Sequence, residues 1–354
     1  VDDYRILAIR AEPVTLKPGD LAQITVVDSS DADEVVDYQW SWCPVEPSAQ
    51  NAYECPVARL ADESPDVGTS SGADAGGKGG FGQFDPSLLQ LGTGSEVYLP
   101  YPGTREQVLG ICRQIQEAVA EAGENSPFGG SLPTENCQRG FDISVRLKAT
   151  TEGGRTEIAK KDVTLWTGSE EFNENPEHGG IEIRVASKSD IPKARADLEW
   201  VPEASKPRSK QWHGVGSDEP TPILARMPFD LRGDVSEKSA QKWQPPAPAG
   251  SDGEKPPPAR ERLVFRWFLS RGDIEDAQRI YIPGENDFSE VRRSGLNVSK
   301  LPDEACANKK GGGGEFPEKC RLRIWSVVRD GRLGLDFAEA ELKLVGKASE
   351  GKSE

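Results

Sequence analysis

Short runs of alternating apolar and polar residues, turn residues between those runs, and an internal repeat together predict the fold class. It is a mainly β protein of two tandem immunoglobulin-like β-sandwich domains, with one helix inserted in the first. The first sandwich takes residues 1–168 and carries a Gly-rich loop and the helix. A linker follows at 169–180, a second sandwich with a Pro-rich insert at 181–346, and a polar tail at 347–354. A chain of 354 residues is long enough for two domains, and its 37 Gly and 27 Pro interrupt it too often for long helices.

Residues 4–10, YRILAIR, read as a strand, and the turn Lys17-Pro18-Gly19-Asp20 leads into a second at 22–27, AQITVV. A third spans 35–43, VVDYQWSWC. Strand side chains alternate, so Tyr38, Trp40 and Trp42 share one face, a core candidate. Residues 62–84 are Gly, Ser, Ala and Asp and read as a loop. A helix follows: Thr104 and Gln107 fit a capping box, Val108, Cys112, Ile115 and Val119 recur on one face, and Gly123 stands near the far end. Residues 141–149 and 156–166 alternate again around Gly153-Gly154, a β-hairpin.

The second half repeats this plan. Residues 262–268, RLVFRWF, match the Trp strand, with Trp267 on Trp42. Ile324 falls on Val145, and Leu342 and Leu344 fall on Val163 and Leu165 at the same offset, with Asp330-Gly331 as the turn. The Trp strands align at a larger offset than the hairpins. The first copy therefore holds extra chain between them, read as the Gly-rich loop and the helix. Residues 202–222 and 244–259 of the second copy are irregular, and the latter, QPPAPAGSDGEKPPPA, reads as extended and solvated.

The charge and the cysteines narrow the function. Lys and Arg number 43 against 59 Asp and Glu, a net charge of −16, which opposes binding to phosphate backbones. No apolar run approaches the roughly 20 residues of a membrane helix. The six cysteines include no C-x-x-C pair, so zinc-ribbon and thioredoxin-like chemistry lacks support. An even count with local spacing suggests an oxidising compartment and bridges Cys43–Cys55, Cys112–Cys137 and Cys306–Cys320, among 15 possible pairings; buried free thiols are the alternative. The start at Val1, without Met or an apolar leader, reads as a mature form.

Tyr4-Arg5-Ile6-Leu7-Ala8-Ile9-Arg10-Ala11-Glu12-Pro13, the strand Tyr38-x-Trp40-x-Trp42-Cys43-Pro44 and Asn173-x-Asn175-Pro176 resemble surface lipoproteins of gliding Gram-negative soil bacteria, a functionally uncharacterised family with immunoglobulin-like domains. The resemblance covers most of the first domain and the linker and weakens over 180–354. It implies an outer-membrane lipid anchor on a cysteine just before Val1. It carries no catalytic residue across.

Candidate chemistry is sparse. Asp28, Asp31, Asp33 and Glu34 crowd one loop and could bind Ca²⁺, although an ordinary solvated acidic turn reads the same way. Gly68-Thr69-Ser70-Ser71-Gly72 matches G-x-S-x-G only formally, because its flanks are a polar loop rather than strand and helix. His178 and His213 read as exposed loop histidines without a nearby partner. Arg232-Gly233-Asp234 and Arg271-Gly272-Asp273 read as turns beside strands. Trp200, Trp212 and Trp243 lie in the irregular inserts, where they could contact a partner or pin the loops to their own domain. The function expected is a non-enzymatic extracytoplasmic, lipid-anchored structural or accessory protein that binds another protein of the cell envelope or surface. A carbohydrate-binding module and a hydrolase are the alternatives, and no cofactor is expected beyond the Ca²⁺ considered above.

Overall fold

The computed structural model describes residues 4–29, 34–44, 53, 55, 89–122, 137, 140–168, 172–186, 212–216, 220–224, 228–245, 256–298 and 320–345. The chain is mainly β and sandwich-like. It divides into two compact units, Tyr4–Glu174 and Asn175–Glu354.

The first unit runs β1 (Ile6–Glu12), β2 (Thr15–Leu16), β3 (Leu21–Asp28), β4 (Val36–Cys43), β5 (Gln90–Thr93), β6 (Glu96–Pro100), α1 (Arg105–Ala122), β7 (Phe141–Thr151) and β8 (Thr156–Leu165). One sheet has the order β1-β3-β6 and the other β2-β8-β7-β4-β5. Ile9, Ile24 and Leu99 from the first sheet meet Trp40, Leu147 and Leu165 from the second in one apolar cluster, joined by Val108 and Ile115 of α1. Strands β5 and β6 stand where the sequence reading placed only extra chain. Their signal is short: Val97 and Leu99 are buried, while Tyr98 between them is exposed.

The second unit runs β9 (His178–Val185), β10 (His213–Val215), β11 (Thr221–Leu224), β12 (Pro228–Val235), β13 (Lys242–Trp243), β14 (Ala259–Arg260), β15 (Leu263–Leu269), β16 (Asp273–Ile274), β17 (Gln278–Tyr281), α2 (Phe288–Val291), β18 (Arg293–Asn297), β19 (Arg321–Arg329) and β20 (Leu335–Val345). Its sheets have the orders β10-β9-β12-β18-β16 and β11-β20-β19-β15-β17, with β13-β14 as a separate two-stranded ribbon. Ile181, Ile183, Phe229 and Leu231 pack against Trp267, Ile324, Leu342 and Leu344. The one-helix expectation is corrected here by the short α2. Strands β10 and β11 lie in and beside a stretch read as irregular, because their partners β9 and β20 are distant in sequence.

The repeat is visible in register. Val145 faces Lys161 in the β7–β8 hairpin, and Ile324 faces Ala340 in β19–β20 at the matching positions. Each hairpin also takes a short parallel strand on its last strand, Leu16 beside Leu165 and Ile223 beside Leu344. One alignment needs correction. Trp40 faces Leu147, and Trp267 faces Ser326, the residue that corresponds to Leu147. Trp267 therefore matches Trp40, not Trp42. A two-residue shift keeps every strand side chain on its own face, so alternation alone cannot expose it.

Candidate functional site

Two bridges lie in the first unit. Cys43–Cys55 joins Cα atoms 5.5 Å apart, and Cys112–Cys137 joins Cα atoms 5.8 Å apart. Cys320 is also disulfide-bonded, and Cys306 lies outside the described residues. The second bridge fixes α1. The Thr104 N–H donates to Gln107 Oε1 at 2.7 Å, and the Gln107 N–H donates to Thr104 Oγ1 at 3.3 Å, a closed capping box. Val108, Cys112 and Ile115 face the core. Thr167 Oγ1 donates to the Cys137 carbonyl at 2.6 Å, and Arg105 Nε donates to the Thr167 carbonyl at 2.5 Å.

Of the acidic loop, Asp31 and Asp33 lie outside the described residues. Glu34 is half-buried, and Asp28 turns to its own sheets. Asp28 Oδ2 accepts the hydroxyls of Tyr38 at 2.5 Å and Tyr4 at 3.3 Å. Burial, and then the Asp28 charge, push the Tyr4 hydroxyl far above its ordinary pKa. These bonds tie β3 and β4 to the segment just before β1. Among the described residues no three His, Cys, Asp or Glu side chains gather around a cation position.

His178 departs from its expected place in an exposed loop. It opens β9, half-buried, with Nε2 2.8 Å from Ser326 Oγ. The Gly180 N–H donates to Nδ1 at 3.3 Å, so the proton of the neutral ring sits on Nε2 and points at Ser326. Burial pushes the ring down to about 4. A ring that donates to the hydroxyl cannot also take its proton, and Ser326 has no exposed surface. The bond joins β9 to β19. Gly233 lies against the ring: a Cβ there would sit 3.3 Å from Nε2. Arg232-Gly233-Asp234 is thus part of β12, with a register shift between Gly233 and Val235, rather than a turn. Arg271-Gly272-Asp273 does bend, with Gly272 at φ +88°. Residues 68–72 lie outside the described residues.

Trp200 lies outside them too, but Trp212 and Trp243 can be placed. Trp212 is half-buried with three guanidinium groups against its ring, from Arg232 at 4.4 Å, Arg184 at 4.5 Å and Arg293 at 5.6 Å. Each arginine also holds a carboxylate: Arg184 Nε donates to Asp230 at 2.8 Å, Arg232 pairs with Glu182, and Arg293 Nη1 donates to Glu290 at 2.7 Å. The outer face of the sheet is therefore a cross-strand charge lattice with one indole laid on it.

Trp243 stands at the root of the Pro-rich insert. The flanks of that insert pair as β13 and β14, Trp243 opposite Ala259, and Gln244 Nε2 donates to the Pro256 carbonyl at 2.5 Å. The Arg332 guanidinium lies 5.3 Å from the Trp243 ring and 3.3 Å from Glu261 Oε1. Glu261 is only 2 % exposed, and its Oε2 has no hydrogen-bond partner. Burial, reinforced by Asp330, raises its carboxyl to about 7. The folded state therefore favours the protonated acid. That stabilisation is full below the ordinary pKa near 4.5 and is lost as pH rises through about 7. Glu261→Gln, which cannot ionise, is expected to exceed the native chain in stability by about 2 kcal/mol at pH 8 and to match it at pH 4. Urea midpoints at the two pH values check this; equal gaps at both would refute it.

No family model matches the chain, and no curated protein matches it. Among solved structures it is similar to the native conformation of E. coli alpha-2-macroglobulin at 9 % identity and a TM-score of 0.19, over 95 % of this chain and 16 % of that one. It is similar to three N-terminal domains of the highly immunogenic outer capsid protein of bacteriophage RB49 at 8 % identity and a TM-score of 0.19, over 97 % and 99 % of the two chains. For extracellular cadherin domains 1–4 of protocadherin gamma B7 the identity is 11 % and the TM-score 0.17, over 97 % and 50 %. Likeness at this level carries no functional argument, and no family is assigned.

Proposed function

We propose that each unit is an immunoglobulin-like β-sandwich, and that the chain is a non-enzymatic, extracytoplasmic protein, lipid-anchored at a Gram-negative outer membrane, that binds another envelope or surface component. The fold reading is supported by the shared plan of the units. In each, a buried-Trp strand pairs with the terminal hairpin, and that hairpin carries a short parallel strand on its far side. The compartment is supported by the bonded state of the described cysteines. No helix among the described residues is long and apolar enough to cross a membrane.

The observation that carries the binding role is the β13–β14 ribbon. The Pro-rich insert leaves and rejoins the second unit at one stem, held by Trp243, Arg332 and the buried Glu261. Segments displayed from a rigid base are where recognition concentrates. Pull-down of the full chain from membrane extracts, followed by mass spectrometry, is expected to yield an envelope protein whose capture drops when residues 246–255 are replaced by a Gly/Ser segment of equal length. Absence of any co-purifying protein, or capture indifferent to that replacement, overturns the reading.

A further inference from the structure

Among the described residues β17 is the last strand of its sheet, and no described strand neighbours its outer edge. The Trp267 N–H donates to the Ala277 carbonyl at 2.9 Å. Hydrogen-bonded pairs recur every second residue in an antiparallel ladder, so Arg279 and Tyr281 also turn their backbone groups to β15. Gln278, Ile280 and Ile282 then aim theirs outward. Two of those outward groups are taken by one side chain. Asn286 Nδ2 donates to the Ile280 carbonyl at 2.9 Å, and the Ile282 N–H donates to Asn286 Oδ1 at 3.0 Å. A single carboxamide reproduces the pair of bonds that a neighbouring strand would make. The turn that brings it there is written in the sequence: Pro283 and Gly284 follow Ile282, Gly284 sits at φ +86°, and the Glu285 N–H returns to the Ile282 carbonyl at 3.0 Å.

We propose that Asn286 is an edge plug, closing a strand-addition surface on β17 that fits a second copy of this chain. The surface is self-complementary. With two β17 edges antiparallel about a two-fold axis at Ile280, the Ile280 backbone groups pair with their counterparts, and Ile282 faces Gln278 of the other copy. Ile280 and Ile282 are 39 % and 37 % exposed and would cover one another across the joint. Arg279 is held by Asp276, and Arg266 on the neighbouring strand donates to Gln278. The Ile280 carbonyl that this register needs is the one Asn286 occupies. Unplugged edges of this kind pair with other chains, and proteins block them by design. The net charge of −16 also opposes approach of a second copy, so salt favours the joint once the plug is gone.

Sedimentation and light scattering of the full chain test this. The native chain is expected at the mass of one chain, and Asn286→Ala at twice that mass as concentration rises, more so with added salt. Asn286→Ala/Ile280→Lys should return to the mass of one chain. A folded Asn286→Ala that stays single, or a dimer that survives Ile280→Lys, overturns the proposal, as does a native dimer that Ile280→Lys dissolves. Should Asn286→Ala fail to fold, amide hydrogen exchange on the native chain decides. The Ile282 N–H is expected to be protected, and exchange at the free rate overturns the plug.

Discussion

Trp40→Ala is expected to lower the stability of the full chain by about 3–5 kcal/mol, the range for deleting a large aromatic from a core that cannot close over the hole. Trp40 has no exposed surface, and its ring fills the space between the two sheets of the first unit. Its Nε1 also donates to the Gly94 carbonyl at 2.7 Å, in the β5–β6 connection. The equivalent Trp267 is 2 % exposed, but its Nε1 has no hydrogen-bond partner. The two indoles should therefore separate under substitution by Phe. Trp40→Phe strands the Gly94 carbonyl and costs more, by about 1 kcal/mol, than Trp267→Phe, which removes an unsatisfied donor. Urea unfolding of the three variants followed by circular dichroism measures both effects. Equal costs for the two Phe variants would show that the Gly94 bond contributes nothing.

Trp40 and Trp267 also show what the sequence reveals and what it hides. Periodicity and turn chemistry make the β7–β8 hairpin, the Trp strand and the capping box at Thr104 readable, because each depends on residues close in the chain. Register against a repeat is not readable, since a slip of two leaves every face unchanged. Strand β11 is a four-residue stretch whose Ile223 finds its partner Leu344 far along the chain. The candidate site is hidden for the same reason. Ser326 reaches His178 across 148 positions, and Arg332 reaches Glu261 across 71. In sequence, Glu261 sits between Arg260 and Arg262, and nothing local marks it as buried. Its burial is set by Arg332 and the Trp243 ribbon, which only folding brings together. Asn286 is a similar case: the Pro283-Gly284 turn is legible, but the edge it closes belongs to the sheet.

Removing the Cys112–Cys137 bridge, by Cys112→Ala with Cys137→Ala, is expected to cost about 3–4 kcal/mol. Crosslinking residues 25 apart restricts the unfolded chain by roughly that amount on the loop-entropy relation. The same relation gives about 3 kcal/mol for Cys43–Cys55, whose ends are 12 apart, so loop length alone separates the two only slightly. The native contacts widen the gap. Cys112 is on the buried face of α1, and the Cys137 carbonyl takes the Thr167 hydroxyl, whose own carbonyl takes Arg105 from the first turn of that helix. The bridge thus closes a ring of contacts from the helix start, through the end of the β8 region, back to the middle of the helix. Opening it should loosen the N-terminal turn of α1 as well as destabilise the fold. The measurement is a urea titration of each double-alanine variant, with amide exchange across 105–112. A larger loss of stability for the Cys112–Cys137 pair, together with faster exchange in that turn, is the expected outcome. Unchanged exchange there would reduce the bridge to a tether on the unfolded chain.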